Sequence, residues 1–145
     1  MTAFEEAFLF YRAARYDLHG KALLKTSPKE YIVDTGFRTW MAGYRVTDIG
    51  RLFENAVYFQ LLYEGWSVHV GKLYGKEVDF VATKDGRALY VQATDEMFAS
   101  ETREREIAPL KAIRDNHEKI AVVRQGSYDT DIDGIRIVSA RDFFL

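Results

Sequence analysis

The chain has no cysteine, only two prolines among 145 residues and three isolated histidines. Without cysteine there are no disulfides, no thiolate zinc sites and no cysteine nucleophile. His19, His69 and His117 have no metal-ligand spacing, so they are read as turn or packing residues. The longest apolar runs are a few residues, far short of the roughly 18–20 that a membrane helix needs. No signal-peptide pattern opens the sequence. Neither sign of charge dominates: 20 Lys and Arg stand against 22 Asp and Glu, a net of −2. A whole-protein basic footprint for nucleic acid is therefore missing, although a local one is compatible with these counts. Residues 1–51 carry eight basic and six acidic side chains and residues 52–145 carry twelve and sixteen, a mild asymmetry. What is present is 48% hydrophobic and 14% aromatic residues, enough for a packed core and too many for disorder. The expectation is a soluble, cytoplasmic α+β protein of one domain's length, with no membrane partner.

Periodicity sketches the elements. Ala3, Phe4, Ala7, Phe8 and Tyr11 fall at helical spacing. Tyr16–Leu24 reads as a hairpin turning at His19-Gly20, Thr26–Lys29 as a loop and Tyr31–Val33 as a short strand. A small helix is expected around Phe37–Met41, ending at Gly43. The clearest helix runs from Ile49 to Glu64, with Asp48 as N-cap and Gly65 as its stop. Its apolar residues cover more than half the circumference and leave Arg51, Glu54, Asn55 and Tyr58 as the remaining stripe. Strands follow at Ser67–Leu73, Lys76–Thr83 and Ala88–Thr94, the last two joined by the hairpin signal Asp85-Gly86. A second helix is expected from Glu101 to about Asp115, capped by Ser100 and kinked at Pro109. Lys119–Val123, Ile135–Val138 and a terminal helix behind Ser139 complete the series.

A two-residue turn at Asp85-Gly86 pairs Lys84 with Arg87. It then sets Asp79 opposite Gln92 and Glu77 opposite Thr94, and alternation puts all four on one face. Val78, Phe80, Ala82, Leu89, Val91 and Ala93 take the other. Two carboxylates and an amide oxygen on one patch, joined by Glu54 from the preceding helix, form an oxygen donor set suited to Mg²⁺. The competing reading of the strand residues is the solvent face of a half-buried hairpin. Crowded carboxylates repel, so without a cation one of them should hold a proton.

At these residues the chain resembles the PD-(D/E)xK nuclease superfamily: Glu54 on the first core helix, Asp79 on the second strand and Gln92 on the third. The resemblance implies a restriction-endonuclease-like α-β-β-β-α-β core, a mixed central sheet flanked by helices, with Glu54, Asp79 and Gln92 as catalytic and metal ligands for Mg²⁺. In that superfamily a lysine two residues beyond the strand-three ligand positions the attacking water. Thr94 stands there instead, and a lost proton-transfer group typically costs about 10²–10⁴-fold. Lys72, Lys76 and Lys111 are candidate substitutes, Lys111 because it sits on the second helix; each is otherwise a solvated lysine.

A wider likeness runs through AFLFYRAARYDLHGKALLKT, YIVDTGFRTWMAGYR, DIGRLFENAVYFQLLYEGW, VGKLYGKEVDFVA, YVQAT, ETREREIAPLKAIRDNHEKI and DGIRIVSARDFFL. These segments resemble the C-terminal domain-of-unknown-function module of prokaryotic AAA-type ATPases, in which a P-loop ATPase and a winged helix come first. The resemblance implies that residues 1–25 are the last helix and wing of the winged helix, and residues 26–145 the nuclease-like domain. Gly71-Lys72-Leu73-Tyr74-Gly75-Lys76 is too short for a phosphate-cradling loop, so the chain is not itself the ATPase. Three functions are expected in order: a catalytically degenerate nuclease-like appendage in nucleic-acid contact or regulation, an active Mg²⁺-dependent DNA endonuclease, and a pure interaction or oligomerisation module. Partners would be nucleic acid and an ATPase, or a second copy met through the apolar segment of Phe4, Phe8 and Phe10. Tyr11, Arg12, Arg15, Tyr16, Lys21 and Lys25 combine rings with positive charge and are the local DNA-contacting candidates.

Overall fold

The computed structural model describes residues 9–43, 45, 48–126 and 128–145. Most of the helix expected over residues 2–11 lies outside them. Its last positions, Phe10 and Tyr11, belong to a strand, β1 (Phe10–Ala13), which pairs antiparallel with β4 (Lys29–Ile32). The Thr26–Lys29 loop is thus shorter than expected, and Lys29 opens the strand.

The main sheet has eight strands in the order β3-β2-β5-β6-β7-β8-β10-β9. The expected hairpin is β2 (Arg15–Asp17) with β3 (Ala22–Leu23). β2 joins β5 (Ser67–Leu73) in parallel. β5, β6 (Lys76–Lys84) and β7 (Arg87–Met97) form an antiparallel meander. β8 (Glu118–Gly126) and β10 (Ile135–Ser139) add in parallel, and β9 (Asp131–Ile132) closes the far edge antiparallel. The sheet is therefore mixed and flanked by helices, an α+β arrangement. Because β1 and β2 hydrogen-bond to β4 and β5, backbone bonding crosses the boundary expected at residues 25 and 26.

Among the described residues the helices are α1 (Thr35–Ala42), α2 (Ile49–Tyr63), α3 (Ser100–Lys111) and α4 (Ala140–Phe144). Asp34 caps α1, accepting from the Gly36 and Phe37 amides. Asp48 occupies the N-cap position of α2 without making the capping bond; its carboxylate pairs with Arg38 instead. Ser100 is the first residue of α3, not its cap, and that helix stops at Lys111, two residues past Pro109. Pro109 has no amide to give the Arg105 carbonyl, yet the ladder runs on past it, the Ala112 amide donating to the Ala108 carbonyl and the Ile113 amide to the Leu110 carbonyl, both at 3.2 Å. The terminal helix expected behind Ser139 is α4, and Ser139 caps it, its hydroxyl accepting from the Asp142 amide.

Both faces of the sheet are covered. On one, Phe53, Val57, Tyr58 and Leu61 of α2 pack on Val70, Phe80, Ala82, Leu89 and Val91. On the other, Ile107 and Leu110 of α3 meet Val78, Val81, Tyr90, Ala121 and Val123. The solvent-facing hairpin is thereby corrected: the second face lies under α3. Asn55 and Tyr58, expected on the polar stripe of α2, are buried too. The Asn55 side chain donates to the Ile32 carbonyl and accepts from the Ile32 amide (2.8 and 3.0 Å), tying α2 to β4. Tyr58 stacks on Tyr31 with ring centroids 4.0 Å apart. No helix among the described residues is long and apolar enough to cross a membrane.

Candidate functional site

The site begins with the turn. Asp85 and Gly86 both have positive φ (50° and 75°), the geometry of a two-residue hairpin turn, and they set the register from Lys84 opposite Arg87 to Phe80 opposite Val91. The ladder then stops. Asp79 and Gln92 are not backbone partners; their side chains bridge the parted strands instead. The Ala93 amide donates to Asp79 Oδ2 at 2.8 Å, and the Asp79 amide donates to Gln92 Oε1 at 3.3 Å.

A β-bulge lies at the same place. His69 pairs with Val81 and Gly71 with Val78, so Val70 alone faces two residues of β6, Asp79 and Phe80. A bulge reverses the alternation on its strand and re-aims side chains, which is why bulges gather beside functional sites. Val78 accordingly packs under α3 with Val81, not beside Phe80 as alternation predicts. Glu77 likewise leaves the expected patch. Its carboxylate is bound by Arg15 (2.7 Å), Lys29 (3.0 Å) and Lys72 (3.0 Å).

The other expected residues come together. Glu54, Asp79, Gln92 and Thr94 line one cleft of about 540 Å³, between the N-terminal half of α2, the opened strands and α3. Asp95 and Arg51 line it as well, as do Thr102, Arg105 and Glu106 of α3. Arg51 is exposed and makes no ion pair among the described residues, whereas Asp95 is paired with Arg124.

Electrostatics follow from burial and crowding. Burial first, and the charge of Glu54 second, push the Asp79 carboxyl up to about 7, outweighing the Ala93 amide and Lys29. One acid of the set does favour its proton, as expected, but burial leads rather than repulsion. Burial would also raise Glu77, yet Arg15, Lys29 and Lys72 hold it down at about 2. Glu54 Oε1 accepts from the Tyr31 hydroxyl (2.8 Å) and stands 2.7 Å from the Lys29 ammonium. Burial and the three acids nearby, Glu54 above all and then Asp79 and Glu77, raise the Tyr31 hydroxyl far above its usual range, so it stays protonated and donates.

Among the described residues no group of three or more His, Cys, Asp or Glu side chains is arranged to hold a metal ion. Mg²⁺ usually takes only one or two carboxylates and fills its shell with water, so the donor set of Glu54, Asp79 and the Gln92 amide oxygen fits it. Thr94 bears on the same question. It is 1% exposed, lines the cleft, and its hydroxyl has no hydrogen-bond partner in the protein. A buried hydroxyl of this kind needs a partner from outside the chain, a water or a ligand.

The candidate substitutes for the missing lysine part company. Lys111 pairs with Glu104 and Asp133, neither of which lines the cleft. Lys72 reaches Glu77 and Lys76 is exposed. The lysine that does reach an acid of the site is Lys29, which sequence reasoning left in a loop. The available signal was alternation: Lys29 and Tyr31 share a face of β4, and both touch Glu54. The three histidines pack against tyrosines, His19 on Tyr74, His69 on Tyr16 and His117 on Tyr90. Phe4 and Phe8 lie outside the described residues.

Comparison with known proteins adds one relative. No family model matches the chain, and no solved structure matches it. An uncharacterized protein of Haemophilus influenzae is 42% identical to it over 141 residues, 97% of this chain and 34% of the relative. The chain thus spans about a third of the length of the curated relative it matches.

Proposed function

We propose that this chain is a nuclease-like module with a restriction-endonuclease-like core. In this reading its cleft holds a divalent cation on Glu54 and Asp79 with Gln92 and receives a nucleic-acid phosphodiester, with cleavage weakened by the hydroxyl at Thr94. It would serve a P-loop ATPase as a nucleic-acid-contacting or regulatory appendage. One observation carries the reading: Glu54, Asp79 and Gln92, far apart in sequence, line one cleft at the point where β6 and β7 part. The element order α2-β5-β6-β7-α3-β8 supports it.

A cation bound there would polarise a phosphoryl oxygen and offset the charge that develops on it. The chain's own groups do the rest. Asp79 would release its proton to solvent on serving as a ligand, Thr94 would orient a water through its hydroxyl, and Arg51 on the rim would meet a phosphate. The test incubates the purified chain with plasmid and oligonucleotides in Mg²⁺ or Mn²⁺. Salt-sensitive binding that weakens in Arg51→Ala is the expected result, together with cation uptake that is lost in Asp79→Ala. The absence of both binding and uptake would overturn the reading and leave a pure interaction module.

A second reading, an active Mg²⁺-dependent endonuclease, is favoured by the Lys29 ammonium 2.7 Å from Glu54, a cation supplied from β4 where Thr94 offers none. Divalent-dependent cleavage that disappears in both Asp79→Ala and Lys29→Ala would put this reading first. The ATPase association requires a Gly-x₄-Gly-Lys-Ser/Thr loop in the part of the Haemophilus relative that this chain does not span. Its absence there would sink that half of the proposal.

A further inference from the structure

Lys29 joins two carboxylates that belong to different surroundings. Its ammonium lies 2.7 Å from Oε1 of Glu54, which lines the cleft, and 3.0 Å from Oε1 of Glu77, which does not. The other oxygen of Glu77 is gripped by Arg15 at 2.7 Å and Lys72 at 3.0 Å. Glu77 is therefore held in place from outside, with one oxygen turned to Lys29. Glu54 is anchored differently, by the neutral hydroxyl of Tyr31 on the same oxygen that meets the ammonium.

A divalent cation on Glu54 would compete with that ammonium directly. Mg²⁺ sits about 2.0–2.1 Å from a carboxylate oxygen, so on either oxygen of Glu54 it would set a second positive centre beside the ammonium, in a half-buried site where Coulomb repulsion is poorly screened. The lysine has somewhere to go. Its four-carbon stem swings freely and its charge is a point without a preferred plane. Glu77 Oε1 is already within contact distance, so leaving Glu54 removes one partner and keeps the other. The β4 backbone need not follow, since Asn55 pins both the amide and the carbonyl of Ile32.

We propose that the Lys29 ammonium is the resident counter-ion of Glu54, and that a divalent cation entering the cleft displaces it onto Glu77, which Arg15 and Lys72 hold ready to receive it. This rests on the reading of the cleft as a cation site. Cation binding is then an exchange rather than an addition, and the displaced ammonium stays on Glu77, which does not line the cleft.

The exchange is tested by Mn²⁺ calorimetry on the full chain and four variants. Lys29→Met removes the competitor and should tighten Mn²⁺ about tenfold, whereas Glu77→Gln removes its refuge and should weaken Mn²⁺ about threefold. Lys72→Met deletes the same charge from Glu77 without touching Glu54, and should change affinity by no more than about twofold. Equal effects of Lys29→Met and Lys72→Met would reduce the lysine to part of a general field and overturn the proposal. Asp79→Asn separates the two levels. Mn²⁺ uptake that is lost in Asp79→Asn yet indifferent to Lys29 leaves the cation site standing and sinks only the exchange. No uptake by either the wild type or Lys29→Met sinks both. Should Lys29→Met fail to fold, the Nζ resonance of Lys29 in the wild type is read during a Mg²⁺ titration. A saturable shift with the affinity measured by calorimetry is expected, and an unmoved signal overturns the exchange.

Discussion

Asp79 is a weaker acid than an ordinary aspartate because its carboxyl is buried and faces the charge of Glu54. Its folded pKa of about 7 lies above the ordinary 3.8, so the folded state binds this proton more tightly than the unfolded one. The stability it contributes is complete below the unfolded value and is lost as pH rises through about 7. Asp79→Asn keeps the shape without the charge. That variant should gain on the wild type between pH 5 and pH 8 by roughly 1–3 kcal/mol, read from urea melts at the two pH values. An equal difference at both would refute the assignment. Glu77 behaves oppositely: held at about 2, it supports the fold above its unfolded value and loses that support as pH falls toward 2. At this scale the sequence was informative about chemistry and poor about geometry. Glu54, Asp79, Gln92 and Thr94 announce themselves by residue type and spacing. Lys29 does not, because its partner lies 25 positions away and nothing local distinguishes it from a solvated loop lysine.

The element that shapes the site is the β6 strand with its bulge. Alternation from the Asp85-Gly86 turn predicts the pairing correctly from Lys84 to Phe80, then fails, because a bulge is set by the neighbouring strand β5 and leaves no mark in the β6 sequence. Its trace is instead Gly71 on β5. An added methyl there would stand 2.9 Å from Val78 Cβ and Val81 Cγ2 and 3.3 Å from Leu18 Cδ1. Two of these atoms belong to stiff β-branched side chains on either side of the bulge, so the strand itself must move. Gly71→Ala should therefore destabilise by about 1–3 kcal/mol, measured by chemical denaturation, and should loosen the cleft with it. A loss below about 0.5 kcal/mol would mean that β5 does not clamp the bulge. Helix α2 was legible in its bounds but not in its depth. Asn55 and Tyr58 look like a polar stripe until β4 is laid across them.

For the whole molecule, the sequence predicts a boundary at residue 25, drawn from likeness to a winged helix followed by a nuclease-like domain. The backbone ties the two segments into one sheet. The Val70 amide donates to the Ala14 carbonyl, the Leu18 amide donates to the Lys72 carbonyl, and Ala13 is wholly buried. Arg15 also supplies one of the three cations on Glu77. A chain of residues 26–145 should thus melt more than about 10 °C below the full chain, or lose cooperative unfolding, in a calorimetric scan. Equal melting would show that residues 1–25 are an independent piece. Long-range pairing of this kind leaves no local pattern, which is why β2 beside β5 could not be foreseen, whereas the hairpin β2-β3, held by a short turn, could.

The sheet's two outermost strands, β3 and β9, are each only two residues long. Amyloid-like stacking requires a long run of unsatisfied amides and carbonyls on which another chain can template. Among the described residues that run is short on β3 and β9, so the outermost strands of this sheet give a second molecule little to template on, and growth of a fibre is favoured from chains that have already come undone.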